Sequence, residues 1–328
     1  MKPFHAAAIA AVLCVAGTWQ SESVAQGFPS KPVRVVNAST AGGPPDVLMR
    51  GMAPLIARDL GQPVIIENRE GANGIIGAEA VAKSVPDGHV LLVTNAFTLT
   101  LNRFIYEKLP YDPERDFVPV VHIGSLNSAV MVHPSVPVRT WQELVALAKS
   151  KPEGISWASV GSSSAASLFR EWMARTMGIS FYNVPYKNYP QAFNAVMAGD
   201  VNVAIFGVGG VIPMAKAGKV RPLAVIDPDR SQYMPDLPSF KELGFDVFFS
   251  TWFAIYAPGG TPVDVVRRLN GAVATALRDR TVTEKYLVPQ GFELHDPAGG
   301  SPEAFARYLK EEREMYARVT RTLGIKPQ

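Results

Sequence analysis

Short strand-like runs alternate with longer helix-like stretches along most of the chain. Residues 33–36, 64–66 and 90–93 are runs of β-branched and other apolar residues, and each is followed by polar or small residues. Between the first two runs, apolar side chains recur at helical spacing as far as Gly61, which predicts an amphipathic helix with a kink at Pro54. This alternation favours an α/β fold with parallel sheets covered by helices on both faces.

Capping residues mark several of the predicted helix starts. Two pairs have the spacing of a reciprocal capping box, and two hydroxyl residues stand directly before a proline that suits the first helical position. The pairs are Thr140 with Glu143 and Ser239 with Glu242, and the hydroxyl residues are Thr261 and Ser301. Glycines that follow helical segments predict where those helices end; they are Gly178, Gly199, Gly218 and Gly244.

The first 25 residues have the organisation of a secretory signal peptide. Lys2 precedes an apolar run that ends at Gly17, and Ser23-Val24-Ala25 puts small residues where signal peptidase reads them. The apolar run is shorter than the roughly 20 residues that span a bilayer. We therefore expect cleavage after Ala25 and export, most consistent with a Gram-negative periplasm. Cys14 would leave with the signal peptide, so the mature chain would contain no cysteine and no disulfide.

Composition excludes two broad classes of protein. With 328 residues, 47% of them apolar and 19% charged, the chain can bury the cores of about two domains and is not disordered. The net charge of +3 comes from 32 basic and 29 acidic residues without a run of like charges. We therefore expect no nucleic-acid partner.

Three loops stand where ligands bind in open α/β sheets, between the carboxyl end of a predicted strand and the start of a helix. Unpaired N–H groups at helix starts, together with the helix dipole, favour an anion. The dipole contributes only about 0.3–2 kcal/mol, so several loops must converge to hold a carboxylate. Each loop alone is equally well explained as an ordinary turn with a helix cap. The candidate ligand-binding residues are Ala41, Gly42, Gly43, Pro44 and Asp46 in the first loop, Thr94, Asn95, Ala96 and Phe97 in the second, and Ser159, Ser162, Ser163 and Ser164 in the third.

Aromatic residues near the ends of predicted strands form a second group of candidates. Phe97, Tyr186, Phe206 and Trp252 occupy such places. Most aromatic residues there pack in a core, whereas small-molecule sites use them as cleft walls beside a few polar anchors. Tyr186, Trp252 and Gly207, which follows Phe206, complete the candidate ligand-binding residues.

No motif for catalysis or for a cofactor is present. Gly161-Ser162-Ser163 lacks the second glycine of a nucleophile elbow, because Ala165 occupies its place. Gly207-Val208-Gly209-Gly210 lacks the third glycine of a dinucleotide-binding loop. No histidine of the mature chain has a second ligand at metal-binding spacing; these histidines are His89, His122, His133 and His295. We expect no metal, no cofactor and no catalysis. The alternative is a secreted hydrolase that uses Ser162, Ser163 or Ser164 with a histidine brought near by the fold.

The chain resembles the Bug-type substrate-binding proteins of tripartite tricarboxylate transporters over essentially its whole mature length. Nine short segments carry the resemblance with consistent spacing. They are Phe28-Pro29-Ser30-Lys31-Pro32-Val33-Arg34, Gly61-Gln62-Pro63-Val64, Glu67-Asn68-Arg69, Pro86-Asp87-Gly88, Leu109-Pro110-Tyr111-Asp112, Val184-Pro185-Tyr186-Lys187, Ala217-Gly218-Lys219-Val220-Arg221, Thr251-Trp252-Phe253 and Ala257-Pro258-Gly259-Gly260-Thr261-Pro262.

The resemblance implies a type II periplasmic binding protein fold, in which two α/β domains joined by two crossover strands clamp a ligand between them. Domain 1 would comprise residues 26–127 and 251–328, and domain 2 would comprise residues 128–250. The crossovers are expected near residues 122–132 and 247–257, where they would form a hinge. In this family, loops that correspond to 41–46 and 94–98 hold the ligand carboxylate through backbone amides and ordered water. Domain 2 would close over the ligand with the loop 159–164, Tyr186 and the segment after Phe206.

The same resemblance implies a transport function. The protein would capture a small organic acid in the periplasm and deliver it, as a monomer, to the membrane permease subunits of a tripartite transporter. Pro45 stands where the family usually has Thr or Ser, and Phe97 stands where a small residue is common. We therefore expect a small carboxylate with an apolar or aromatic body. A binding protein that presents its ligand to a sensor would use the same site and remains an alternative.

Overall fold

Strands and helices alternate along residues 27–160, 165–248 and 251–327, the part of the chain that this computed structural model describes. The strands are β1 (Val33–Asn37), β2 (Val64–Asn68), β3 (Val90–Asn95), β4 (Phe117–Leu126), β5 (Ser128–Val132), β6 (Ser156–Val160), β7 (Tyr182–Tyr186), β8 (Val203–Gly207), β9 (Arg221–Val225), β10 (Thr251–Pro258) and β11 (Phe292–Glu293). The three strands predicted from apolar runs are confirmed as β1, β2 and β3.

The helices fill the intervals between strands. They are α1 (Pro44–Leu60), α2 (Ile75–Ala82), α3 (Ala96–Leu99), α4 (Asn102–Ile105), α5 (Trp141–Ser150), α6 (Ala165–Met177), α7 (Tyr189–Ala198), α8 (Val208–Lys216), α9 (Val263–Leu277), α10 (Arg280–Val282), α11 (Val288–Gln290) and α12 (Pro302–Thr322). A 3₁₀ turn at Ala72–Gly74 precedes α2, and a π-helical turn at Thr283–Leu287 joins α10 to α11.

The strands form two separate sheets. The first has the order β11-β4-β10-β3-β1-β2, and the second has the order β7-β6-β8-β5-β9. Strand β1 is parallel to β2 and β3, and β6 is parallel to β7 and β8, as strand–helix–strand units require. The expectation of parallel sheets is only partly right, because β10 runs antiparallel to β3 and β4, and β5 runs antiparallel to β8 and β9.

The chain passes between the sheets twice. The first passage is a single residue, Asn127, between β4 of the first sheet and β5 of the second. The second lies between β9 and β10, and residues 249–250 of it are outside the described residues. The sheets thus take residues 33–126 with 251–293, and residues 128–225. The domain limits at 127/128 and 250/251 remain a prediction.

Each sheet is covered on both faces, as predicted. In the first, one buried cluster joins the sheet to α1 and α9, and another joins it to α2 and α12. In the second, one cluster contains α5 and α6, and the other contains α7 and α8. Helix α12 contributes to both domains, because Phe305 and Leu309 pack on the first sheet while Tyr316 and Val319 pack in the cluster of α6.

Two of the predicted caps are confirmed and two are wrong. Thr140 accepts from the N–H of Glu143 at 3.2 Å, and Ser301 accepts from that of Ala304 at 3.1 Å. Ser239 and Glu242 make both bonds of a capping box, but they close a turn rather than a helix. Thr261 donates its hydroxyl to Pro258, because α9 begins two residues later with Pro262 as its cap.

Candidate functional site

The first two candidate loops stand side by side at one edge of the first sheet. Asn37 of β1 is paired with Val93 of β3, and the N–H of Ala38 donates to the carbonyl of Val93 at 2.9 Å. Because β1 and β3 are parallel neighbours, the loops that leave their carboxyl ends emerge at the same edge. The structure therefore brings together the loops 41–46 and 94–98.

Asp46 organises the first loop from inside. It is buried, and its carboxylate accepts from the N–H of Gly42 at 2.9 Å, from Arg50 at 3.0 Å and from Asn68 at 2.9 Å. Burial by itself would raise the pKa of Asp46, but these hydrogen bonds together lower it below the ordinary value of 3.8. Asp46 therefore shapes the loop, whereas Ala41 and Gly42 are its exposed residues.

The start of α1 offers few backbone donors. Gly43 is its extended N-cap, and Pro44 and Pro45 form the first helical positions without N–H groups. The N–H of Val47 donates to Gly43. The N–H of Asp46 is therefore the backbone donor that the first turn leaves without an intrahelical acceptor. The prediction of a backbone anion site at this helix start is weakened by the two prolines.

Asn95 is the most accessible polar group of the second loop. Its Oδ1 caps α3 by accepting from the N–H of Phe97 at 3.0 Å, which leaves its NH₂ group to donate. Thr94 and Ala96 are buried and support the loop from below. The Thr94 hydroxyl lies 2.6 Å from that of Thr98, which donates in turn to the carbonyl of Asn73 at 3.0 Å. The glycine loop after β2 therefore braces this part of the site.

The candidate residues of the second sheet also share one edge. Val160 at the end of β6 is paired with Tyr186 at the end of β7, and β6 is also parallel to β8, which ends at Gly207. Gly207 is exposed and Tyr186 is half-buried, whereas Ser159 is buried. The predicted residues Ser162, Ser163 and Ser164 lie outside the described residues.

An aromatic cluster beside this edge includes two residues that sequence reasoning missed. Phe206 packs edge-on against Phe193 of α7 at 4.8 Å and against Tyr189 at 6.2 Å between ring centroids. Tyr189 opens α7 and remains 57% exposed. Its position three residues after Tyr186 was a signal that could have identified it.

Trp252 does not line the cleft, which corrects its selection as a ligand-binding residue. Its side chain is fully buried, and its indole N–H donates to the carboxylate of Glu312 at 3.0 Å. The rings of His122, Phe305 and Tyr308 surround it at 5.3–5.8 Å. Trp252 therefore belongs to the core between β10 and α12, and we leave it out of the site.

Segments that leave the two edges come together at the domain junction. Phe97, at the start of α3, packs edge-on against Tyr316 of α12 at 6.0 Å. Leu101 beyond α3 belongs to the same buried cluster as Phe169 of α6, the helix that follows the serine loop. The N–H of Val208, the first residue of α8, donates to the carbonyl of the crossover residue Asn127 at 2.8 Å.

The histidines hold structural positions. His89 accepts from the N–H of Ser30 at 3.2 Å, His133 lies 2.7 Å from the Ser135 hydroxyl, and burial lowers the pKa of His122 to about 3. Among the described side chains, no group of three or more His, Cys, Asp or Glu could hold a metal ion. Within residues 27–160, 165–248 and 251–327, no helix is long and apolar enough to cross a membrane.

Two α/β units that are linked by two passages of the chain, each with its strand-end loops along one edge of its sheet, have the architecture of a two-domain solute-binding protein. A family model described as "Tripartite tricarboxylate transporter family receptor" matches residues 48–325. The chain belongs to this family, whose members are periplasmic binding proteins and not enzymes. This confirms the resemblance and the fold class, and the hydrolase alternative is not retained.

Individual relatives agree over most of their length. Protein BugT of Bordetella pertussis is 31% identical over 304 residues, which are 92% of this chain and 92% of that protein. The structure of R. palustris Rpa4515 with adipate is 32% identical, has a TM-score of 0.77, and covers 92% of this chain and 100% of its own. MatC (Rpa3494) from Rhodopseudomonas palustris with bound malate is 29% identical and has a TM-score of 0.73. The match covers 89% of this chain and 99% of that protein.

Proposed function

We propose that the chain captures a small organic carboxylate in the periplasm after cleavage at Ala25 and delivers it to the membrane subunits of a tripartite transporter. The observation that carries the proposal is the similarity to Rpa4515 and MatC, because adipate and malate are both organic carboxylates. In this proposal the ligand lies between the domains and contacts the strand-end edge of each sheet.

Hydrogen-bond donors at the first edge and at α8 would hold the carboxylate. The NH₂ group of Asn95 is left to donate, because its Oδ1 accepts the capping bond from Phe97. The first turn of α8 contributes the N–H group of Gly210, three residues beyond the exposed Gly207. Closure of the domains would bring both sets of donors onto one anion and exclude water, which strengthens each hydrogen bond.

Asn95→Asp tests the carboxylate. Aspartate keeps the oxygen that caps α3, but it replaces the NH₂ donor by a negative charge that repels the ligand. Calorimetric titration with adipate, malate and benzoate should show saturable binding to the wild-type protein and a loss of about tenfold or more in Asn95→Asp. Ser301→Asp places the same charge at the N-cap of α12 and should bind like the wild type. Absence of binding for every carboxylate, or equal affinity in Asn95→Asp, would refute the proposal.

The aromatic cluster at the second edge supports a ligand with an apolar or aromatic body. Tyr186, Tyr189 and Phe206 present rings there, and Phe193 supports Phe206 from α7. Lys187 is exposed beside them and is the cation that a second carboxylate would seek. Ring contacts with an aromatic body contribute about 0.5–1.5 kcal/mol beyond the burial of apolar area.

Two tyrosines of nearly equal exposure test whether the second edge contacts an aromatic body or a second carboxylate of the ligand. Tyr189→Ala removes a ring from the proposed wall, and Tyr182→Ala removes one that is 58% exposed at the opposite end of β7. Benzoate affinity should fall about three- to tenfold in Tyr189→Ala and stay unchanged in Tyr182→Ala. Stronger binding of adipate than of benzoate, lost in Lys187→Ala, would assign the second edge to a dicarboxylate instead.

The delivery step requires membrane subunits as partners. Uptake of the labelled acid by vesicles that contain those subunits should depend on the added protein, which we propose acts as a monomer. Binding of the acid without any stimulated uptake, together with stimulation of a sensor protein encoded nearby, would favour the sensor alternative.

A further inference from the structure

The chain between β9 and β10 makes an excursion from the second domain to the first. It leaves the second sheet at Val225 and returns to it at Pro238 and Phe240. The N–H of Val225 donates to Pro238 at 3.0 Å, and the N–H of Phe240 donates to Val225 at 2.9 Å. An ion pair between Arg230 and Glu242 at 2.8 Å ties the two arms of the excursion together. Its tip, residues 231–233, is therefore a defined structure rather than a loose loop.

Glu293 of the first sheet holds this tip. It is fully buried on β11 and accepts from the hydroxyl of Ser231 and from the N–H of Gln232 at 3.1 Å. Beside it, the hydroxyl of Tyr233 donates to the carbonyl of Phe292 at 3.0 Å. Nε2 of His295 lies 3.0 Å from the same carboxylate. A buried carboxylate with several donors fixes the groups around it. Each hydrogen bond to it contributes more free energy than a bond between exposed groups would, so breaking it costs more.

Gly291, which precedes Phe292 and Glu293, makes a second contact with the second domain. A methyl group on Gly209 of α8 would lie 3.3 Å from Cα and N of Gly291, so the two glycine backbones nearly touch. Gly209 is two residues beyond Gly207 at the proposed ligand-binding edge. Residues 291–293 of the first domain thus contact two separate parts of the second domain.

We propose that residues 291–293 form an interdomain clamp, with Glu293 as a positioning residue that fixes the ligand-binding edge of the second domain relative to the first. The two passages of the chain between the sheets permit rotation about the line that joins them. A third attachment stands beside the first passage, where Phe292 is paired with Leu126 of β4, and it limits how far α8 and Gly207 can turn relative to the first sheet. The role in ligand affinity rests on the proposed function, whereas the role in domain orientation does not.

Spin labels on both domains measure the orientation directly. Cys14→Ser removes the only cysteine of the sequence, and Val85→Cys and Tyr182→Cys provide label positions that are 70% and 58% exposed in the first and second domains. Without ligand, Glu293→Ala should broaden or shift the distance distribution from double electron–electron resonance. Glu293→Gln can accept from the N–H of Gln232 through its oxygen and donate to the Ser231 hydroxyl through its NH₂ group, so it should restore the wild-type distribution. An unchanged distribution in Glu293→Ala would overturn the proposal.

Ligand affinity gives the second measurement. If the clamp sets the binding-competent arrangement and its loss leaves about a tenth of the molecules in that arrangement, the Kd for adipate or benzoate rises about tenfold. Gly209→Val, which presses on Gly291, should raise it too, whereas Gly271→Val in α9 should not, because a methyl at Gly271 meets nothing within 4 Å. Equal Kd values for the two glycine variants would refute the clamp. If the wild type binds neither acid, the proposed function fails while the label measurement still decides the clamp.

Discussion

Replacing Glu312 by glutamine should abolish a fall in stability that accompanies rising pH. The carboxyl group of Glu312 lies between α12 and β10, where it accepts from the indole N–H of Trp252 at 3.0 Å. Burial raises its pKa from 4.5 to about 7; the Trp252 bond opposes this rise, and the charges of Asp227 and Glu311 add to it. Glutamine keeps an oxygen for Trp252 and removes the titration.

The sign and size of the effect follow from linkage. Between pH 4.5 and about 7 the folded chain holds a proton on Glu312 that the unfolded chain has released, so the free energy of unfolding falls as the pH rises. One pKa unit corresponds to about 1.4 kcal/mol, so the loss amounts to about 3 kcal/mol when complete. The free energy of unfolding of Glu312→Gln, taken relative to that of the wild type, should therefore rise by about 3 kcal/mol from pH 4.5 to pH 8.

Urea unfolding at pH 4.5, 6, 7 and 8, followed by tryptophan fluorescence, measures this difference. His122 titrates in both proteins, so its contribution cancels in the comparison. Glu314→Gln, an exposed change on the same helix, should track the wild type at every pH. A stability difference between Glu312→Gln and wild type that stays constant from pH 4.5 to pH 8 would refute the assigned pKa and its cause.

Three further predictions concern the scaffold of the site. Gly77→Ala should destabilise the protein by about 1–3 kcal/mol, because the new methyl would lie 2.8 Å from Cβ of Ala38 and 2.9 Å from the carbonyl oxygen of Arg69; Gly271→Ala, which meets open space in α9, should stabilise it by up to about 1 kcal/mol in the same urea measurement. Asp46→Asn should cost about 1–3 kcal/mol at pH 7. Because the pKa of Asp46 is lowered, that cost should shrink as the pH falls below 3.8, and a cost independent of pH would contradict the assignment. Trp157→Ala should lower the free energy of unfolding by about 3–5 kcal/mol, measured by calorimetry. An unfolding midpoint equal to that of the wild type would contradict its place in the core.

Local signals in the sequence predicted elements well where one residue decides the geometry. Gly61 ends α1 in a left-handed conformation, with its N–H donating to Ala57, and Ser301 caps α12 as its spacing indicates. The same logic failed at Ser239, where the capping-box bonds form without a helix. A reciprocal cap stabilises one turn, and continuation into a helix depends on packing that the cap residues do not encode.

Tertiary contacts explain what the sequence could not reveal about the site. Trp252 lies near the start of β10, but its ring turns to Glu312, sixty residues later in the chain. The contact of Glu293 with Ser231 and Gln232 is equally remote in sequence. By contrast, the sequence predicted that the loops 41–46 and 94–98 follow strands, and the parallel pairing of β1 with β3 then puts both at one edge.

The position of α12 has a consequence for biosynthesis. Tyr316 and Val319 complete the core around Phe169, yet the ribosome produces them long after Phe169 and the strands of the second sheet. The second domain therefore cannot finish packing until α12 has been made, and until then it exposes apolar surface. Truncation before Met315 would expose the interior of the second domain around Phe169, so fragments that lack this part of α12 would be targets for proteases and chaperones.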